Sequence, residues 1–264
     1  KFANENIRSA DSDGDLLVQA CSNDAQVCAH AIRNLNRIAM GTAKMRWSQT
    51  GYGRTSSTSV AQETPRNLFG FKDGTNNIKS EDGDAKLNEH LWVQKGDDSG
   101  ADWMTGGTYF VVRKIHMFAE MWDNLRLIEQ EQTFGRDKRY GAPLNVTAPT
   151  SGKDEFKPID FKAKNKEGEL EVPADSHIAI VNPEQNKGRW MLRRGYNYTE
   201  GSDALGRLSA GLFFIAFVRD PRTNFYPILD KMTQKDALSE YLQHQARALF
   251  AIPAGIGQSD TMVG

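Results

Sequence analysis

Three groups of residues in this chain of 264 have types and neighbours suited to chemistry: an acid between glycines, a histidine heading an apolar run, and paired arginines. The acid is Asp73, in the stretch Gly-Phe-Lys-Asp-Gly-Thr-Asn-Asn at 70–77. Glycine reaches backbone angles that a Cβ forbids and admits other groups close to the main chain. Gly70 and Gly74 would therefore fix the carboxylate on a tight loop, which suits proton transfer. The same letters read equally as a plain turn, because Asp-Gly is a common turn dipeptide. The histidine is His177, which follows Asp175-Ser176 and precedes Ile178-Ala-Ile-Val. A neutral imidazole there is a good iron ligand, or equally a satisfied core histidine. Arg193 and Arg194 follow Trp190-Met-Leu. Adjacent strand residues face opposite ways, so one arginine would point inward and need an anion. The alternative is a surface pair whose salt bridges are worth little.

The other candidates are weaker. His30, His90 and His116 sit among ordinary neighbours and read as surface or filler. His244 reads as the end of a helix, favourable to the helix dipole. Asp11-Ser-Asp-Gly-Asp15 opens like a calcium loop, but its twelfth position is Ser22, where a bidentate Glu is required. Cys21 and Cys28 lack zinc spacing and are expected to be buried free thiols.

Something must hold these residues in place. Residues 14–21 and 44–53 read as strands flanking a helix from Ser22 or Asn23 to about Ile38, with Val27, Ala31, Leu35 and Ile38 on one face. Strong strands are expected at 108–115 and 211–219, with short ones at 176–181, 190–198 and 248–252. Helices are expected near 117–127, 227–232 and 235–244, and a charged surface excursion at 134–171. This order predicts an α+β fold, an antiparallel sheet covered by helices.

Composition bounds the rest. Apolar residues make up 39% and charged ones 25%, with a net charge of −1, an ordinary globular balance giving no reason to expect nucleic acid as a partner. No apolar run approaches the ~20 residues that span a bilayer. The chain opens Lys-Phe-Ala-Asn without Met or signal peptide, so a processed or truncated chain is expected.

The ordered set Gly70-Phe-Lys-Asp73-Gly74, Asp175-Ser-His177, Asn182-Pro183 and Met191-Leu-Arg193-Arg194-Gly-Tyr196 resembles the dye-decolourising haem peroxidases. Thr105-Gly-Gly-Thr-Tyr, Phe134-Gly-Arg-Asp-Lys, Gly141-Ala-Pro-Leu and Ala237-Leu-Ser-Glu-Tyr are similar to that family's iron-uptake branch, the deferrochelatase/peroxidases of the Efe system. The resemblance runs from about Asp11 to Pro253. It implies two ferredoxin-like units: residues 1–100, N-terminally incomplete and carrying the loop, and residues 101–264, holding haem b. By the same resemblance Asp73 is the distal acid, Arg193 the distal arginine and His177 the iron ligand. Gly74, Thr75 and Asn76 line one side of the haem, and Asn182, Pro183 and Glu184 the other. Ala179 and Glu184 stand where the family usually has a basic residue, so neither is expected to pair with a propionate. The carboxylate behind His177 is expected to be Glu240, which precedes Tyr241 as in the family's Glu-Tyr pair, with Asp236 as second choice. Trp190, Tyr196 and Tyr198 are candidate electron exits or else strand packing residues. The implied partners are hydrogen peroxide and an organic or iron-containing reductant, with possible iron-uptake components and a possible homo-oligomer. The implied setting is secreted, periplasmic or cell-envelope. The rival expectations are a haem-binding protein that delivers iron without turnover, and a bare ferredoxin-like module without cofactor.

Overall fold

The computed structural model describes residues 2–53 and 57–255. Residue 1, residues 54–56 of the polar loop and the tail from 256 lie outside them. The frame is a five-stranded antiparallel sheet of β1 (Thr108–Met117), β2 (Leu192–Arg193), β3 (Tyr196–Ser202), β4 (Leu208–Val218) and β5 (Leu242–Ile252). Its order is β2-β4-β1-β5, with β3 also pairing β4. The helices are α1 (Ala25–Ile38), α2 (Gly83–His90), α3 (Ala119–Asp123), α4 (Leu127–Phe134), α5 (His177–Val181), α6 (Pro221–Asn224) and α7 (Tyr226–Lys235). This is the α+β architecture expected from the sequence.

β1 is central because its residues, Thr-Tyr-Phe-Val-Val-Arg-Lys-Ile-His-Met, are nearly all buried, on both faces. One face packs Val111, with Ala216 and Val218 of β4, under Phe225 and Leu229 at the α6–α7 corner. The same side carries a second cluster of Phe69, Phe71, Met117, Trp122, Phe134 and Leu238, which joins α3 and α4 to the loop at 70–77. The opposite face sets Phe110 and Val112 against Ile215 and Ala248. The first residues strap across β5: the Asn6 amide donates to the His244 carbonyl at 2.9 Å and the Arg8 amide to Gln245 at 2.8 Å. Glu5 is buried in an ion pair with Arg113.

Several local expectations fail for identifiable reasons. Residues 14–21 and 44–53 form no strand beyond a Tyr52–Asn197 bridge. Leu16 is 85% exposed, and a strand without a neighbour has no ladder to satisfy its amides. Asp24, rather than Ser22 or Asn23, caps α1, and Val27, Leu35 and Ile38 on that helix face solvent. Cys21 is exposed and Cys28 partly so. The strand expected at 176–181 is instead helix α5, with Ser176 as its N-cap, because Ile178, Ala179 and Ile180 are all buried together and packing overrides β-branched propensity. The helix expected at 235–244 is a 3-10 turn, Ala237–Tyr241, leading into β5. His244 is therefore a buried strand residue and not a helix terminus. The excursion at 134–171 is more than surface, since its 3-10 turn Gly152–Phe156 buries Asp154 and Glu155. Among the described residues no helix is long and apolar enough to cross a membrane.

Candidate active site

The loop bearing Asp73 is held on both sides by rings. Phe69 stacks on Trp122 with centroids 4.4 Å apart, and Phe71 on Phe134 at 4.1 Å. Gly70 and Gly74 have φ of +83° and +117°, a region that only glycine enters without strain. The Asp73 amide donates to the Pro65 carbonyl at 2.8 Å. With its main chain fixed, Asp73 turns its carboxylate to Arg193, whose Nη1 donates to Oδ1 at 2.7 Å. Both side chains remain about a quarter exposed (25% and 26%). They line an open recess together with Pro65, Asn67, Leu212 and Phe214.

Arg193 lies opposite Ala216, on the helix-covered face of the sheet. Arg194 takes the other side and donates its Nε to Tyr196 Oη at 3.3 Å. Arg193 is thus the arginine that meets Asp73.

His177 opens α5 behind Ser176, which is fully buried. Its Nδ1 bonds the Asp236 carboxylate, Oδ2 at 2.7 Å, and Asp236 Oδ1 accepts the Leu238 amide at 2.9 Å. This corrects the expectation of Glu240: Glu240 is exposed, while the Asp236 side chain has no exposed surface. The reason is the missing helix. With Asp236 capping a 3-10 turn rather than lying inside a helix, the acids at 236 and 240 no longer share a face. The Phe134 ring lies between Phe71 and His177, 6.0 Å from the imidazole, so the loop and the histidine belong to one side of the sheet.

The other residues expected at the site have these local partners. Thr75 donates its hydroxyl to Glu155 Oε2 at 2.6 Å, and Asn76 is exposed. Gly74 is buried. Asn182 accepts the Glu184 amide at 2.9 Å, capping the 3-10 turn Pro183–Asn186, and Glu184 itself is exposed.

Three polar residues that the sequence did not single out surround the pair. Glu155 holds Lys72 at 2.6 Å as well as Thr75, staking the loop on both sides of Asp73. Arg136 is buried, its Nη1 donating to the Gly141 and Glu155 carbonyls. Burial, opposed by Glu155 and assisted by Arg193, holds its pKa down at about 10. Asn77 bonds the main chain of Arg193. Arg136 stood in a quoted motif and Asn77 in the loop itself; Glu155 had no sequence signal, being one acid in a charged stretch.

The C-terminal model of the Dyp-type peroxidases matches residues 64–257, and the N-terminal model residues 1–53. The chain is 34% identical to the dye-decolorizing peroxidase of Thermobifida fusca over 96% of its own length and 58% of the relative's. It is 33% identical to the deferrochelatase of Escherichia coli K12, covering 100% of this chain and 60% of that protein. It thus spans about 60% of the curated relatives' length. Ferric DtpA from Streptomyces lividans superposes with a TM-score of 0.89 at 37% identity, covering 98% of this chain and 68% of DtpA. The DyP-type peroxidase of Cellulomonas bogoriensis gives 0.85 at 32%, over 98% of this chain and 68% of that one. With the C-terminal model spanning the Asp73 loop, the His177 helix and the sheet that carries Arg193, and the N-terminal model matching residues before them, the chain belongs to the Dyp-type peroxidase family.

Proposed function

We propose that this chain is the haem-holding part of a peroxidase that oxidises dyes, phenols or a related reductant with hydrogen peroxide, and that the haem is haem b. The observation that carries the reading is the His177–Asp236 bond. It occupies Nδ1 and leaves Nε2 as the nitrogen open to iron, with the ring orientation and tautomer set by a buried carboxylate. Two further observations fit haem. His177 offers iron one imidazole, and among the described residues no group of three or more His, Cys, Asp or Glu could cage a metal, which suits iron already held by a porphyrin. Buried Arg136 bonds carbonyls and has no described carboxylate in ion-pair contact, with Glu155 acting on it only as a nearby charge, and an acidic cofactor edge would give it a direct partner.

Bound there, haem would supply the iron redox chemistry, with hydrogen peroxide as the source of the oxidising equivalents. The protein's part follows from the pair. Asp73 Oδ1 is occupied by Arg193, and no described residue bonds Oδ2, so Oδ2 is the atom that accepts and returns a peroxide proton. Arg193 keeps a fixed positive charge beside it, a preorganised donor for negative charge developing as the O–O bond breaks. The alternative, haem binding for iron delivery without turnover, is favoured by the relatives named deferrochelatase. An iron-uptake role and a cell-envelope setting belong to the same resemblance.

Hemin titration of the purified chain tests the reading. A Soret band that is lost in His177→Ala, with peroxide-dependent dye oxidation, is expected. Arg193→Leu should slow the peroxide reaction by about 10²–10³, and Asp73→Asn should slow it as well. Haem binding with wild-type rates in both variants leaves only the delivery reading.

A further inference from the structure

We infer that Asn77 is a positioning residue that sets the Asp73–Arg193 pair, an inference that rests on the proposed peroxidase reading for its functional consequence. β2 is two residues long and lies at the sheet edge. On its inner side the ladder runs to β4, and the Arg194 amide donates to the Ile215 carbonyl at 2.8 Å. The main-chain groups of Arg193 face the other way, where no strand follows among the described residues. Asn77 takes the place of one. Its Oδ1 accepts the Arg193 amide at 2.8 Å, and its Nδ2 donates to the Arg193 carbonyl at 3.0 Å. A carboxamide is the side chain that offers one acceptor and a two-proton donor side by side, so it pairs with an edge residue as a peptide unit would. The second Nδ2 proton goes to the Ser57 carbonyl at 3.2 Å. Asn77 is only 3% exposed, so no water substitutes for these bonds.

The clamp matters because of where it is anchored. Asn77 closes the same loop that carries Asp73, so one short segment fixes both partners. The acid is placed through Gly70, Gly74 and the Pro65 carbonyl, and the arginine's backbone through Asn77. A two-residue strand would otherwise let the Arg193 main chain shift, and a displacement near 1 Å at a reacting group costs on the order of 10² in rate.

Amide exchange at Arg193 tests the clamp without haem. In Asn77→Ala the Arg193 amide should exchange roughly tenfold faster, the expected loss for one hydrogen bond, while the Arg194 amide is unchanged. Asn77→Asp, which keeps the acceptor and loses the donor, should lie between wild type and Ala. With haem bound, the same order should appear in the peroxide reaction, slowed about 10–100-fold in Ala, at unchanged haem affinity. Unchanged Arg193 exchange in both variants overturns the inference. So does acceleration of Arg193 and Arg194 together with loss of haem, which would mark general unravelling. A wild-type chain that binds no haem refutes the peroxidase reading instead, and the exchange result still decides whether Asn77 holds Arg193.

Discussion

Asp236 accepts a hydrogen bond from His177 Nδ1 at 2.7 Å, while Glu240, four residues further on, lies in solvent. The buried carboxylate draws on the Nδ1 proton without competition from solvent, which makes the other ring nitrogen a stronger donor. Asp236→Asn should weaken haem affinity by about 10–100-fold and raise the potential of the bound iron. Glu240→Gln should change neither. Redox titration of the two haem-loaded variants checks this, and the reverse pattern would return the role to Glu240.

The three aromatic candidates for electron exit are not equivalent. Lys86 Nζ lies 3.5 Å from the centroid of the Trp190 ring, and a cation on that face opposes formation of an indole radical cation. Tyr198 is 1% exposed, and burial pushes its phenol well above its ordinary pKa, which hinders loss of its proton. Tyr196 is half-buried, with its hydroxyl at Arg194 Nε and 3.5 Å from the exposed Cys21 thiol. Tyr196→Phe should lower oxidation of a bulky dye several-fold relative to a small phenol, with Trp190→Phe and Tyr198→Phe near wild type. Equal dye-to-phenol ratios in all three would make them packing residues only.

Glu155 and Lys72 are both nearly buried, with side chains 3% and 8% exposed. Removing one partner strands the other's charge, at a cost of about 3–5 kcal/mol. Glu155→Gln should therefore lower the melting temperature by roughly 10 °C for a chain of this size. Replacing both residues with apolar ones of similar volume should recover most of the loss. A melting temperature within about 2 °C of wild type for the single variant would show that the ion pair does not hold the loop.

His244 supplies a pH signature of stability. Burial, and next the Arg113 charge, hold its pKa down at about 4 from 6.5, with Glu5 opposing. Arg113, Glu5 and, through Glu5, Arg247 are the charged groups around it, and its Nδ1 has no partner. The unfolded chain takes up a proton below pH 6.5 that the folded chain refuses until about pH 4. Stability is therefore full above 6.5 and falls as pH drops toward 4, by on the order of 3 kcal/mol. Glu5, whose carboxyl the Arg113 and Phe2 bonds lower despite its burial, adds a further loss below 4.5. Urea midpoints between pH 7 and pH 4 should fall less in His244→Leu than in wild type. Parallel curves would rule His244 out as the cause.

The sequence by itself determined the reactive types and part of the frame. Asp73 between two glycines, His177 before an apolar run and the paired arginines were legible because their chemistry depends on neighbours one or two residues away. β1 and β4 were legible because nearly unbroken apolar runs have one stable fate, the middle of a sheet. β5 could have been read further: Ala246 and Ala248 are buried where Arg247 and Leu249 are exposed, a period of two. Only the tertiary structure decided the rest. Ile178 to Val181 has strand letters, yet forms a helix because burial of its residues together outweighs propensity. Residues 14–21 also have strand letters but lack a neighbour to bond. Asp236 rather than Glu240, Arg193 rather than Arg194, the hold of Glu155 on the Asp73 loop and the hold of Asn77 on Arg193 all depend on groups 59 to 120 residues apart. Local propensity carries no information about such pairs, because only the folded sheet brings their polar atoms within hydrogen-bonding distance.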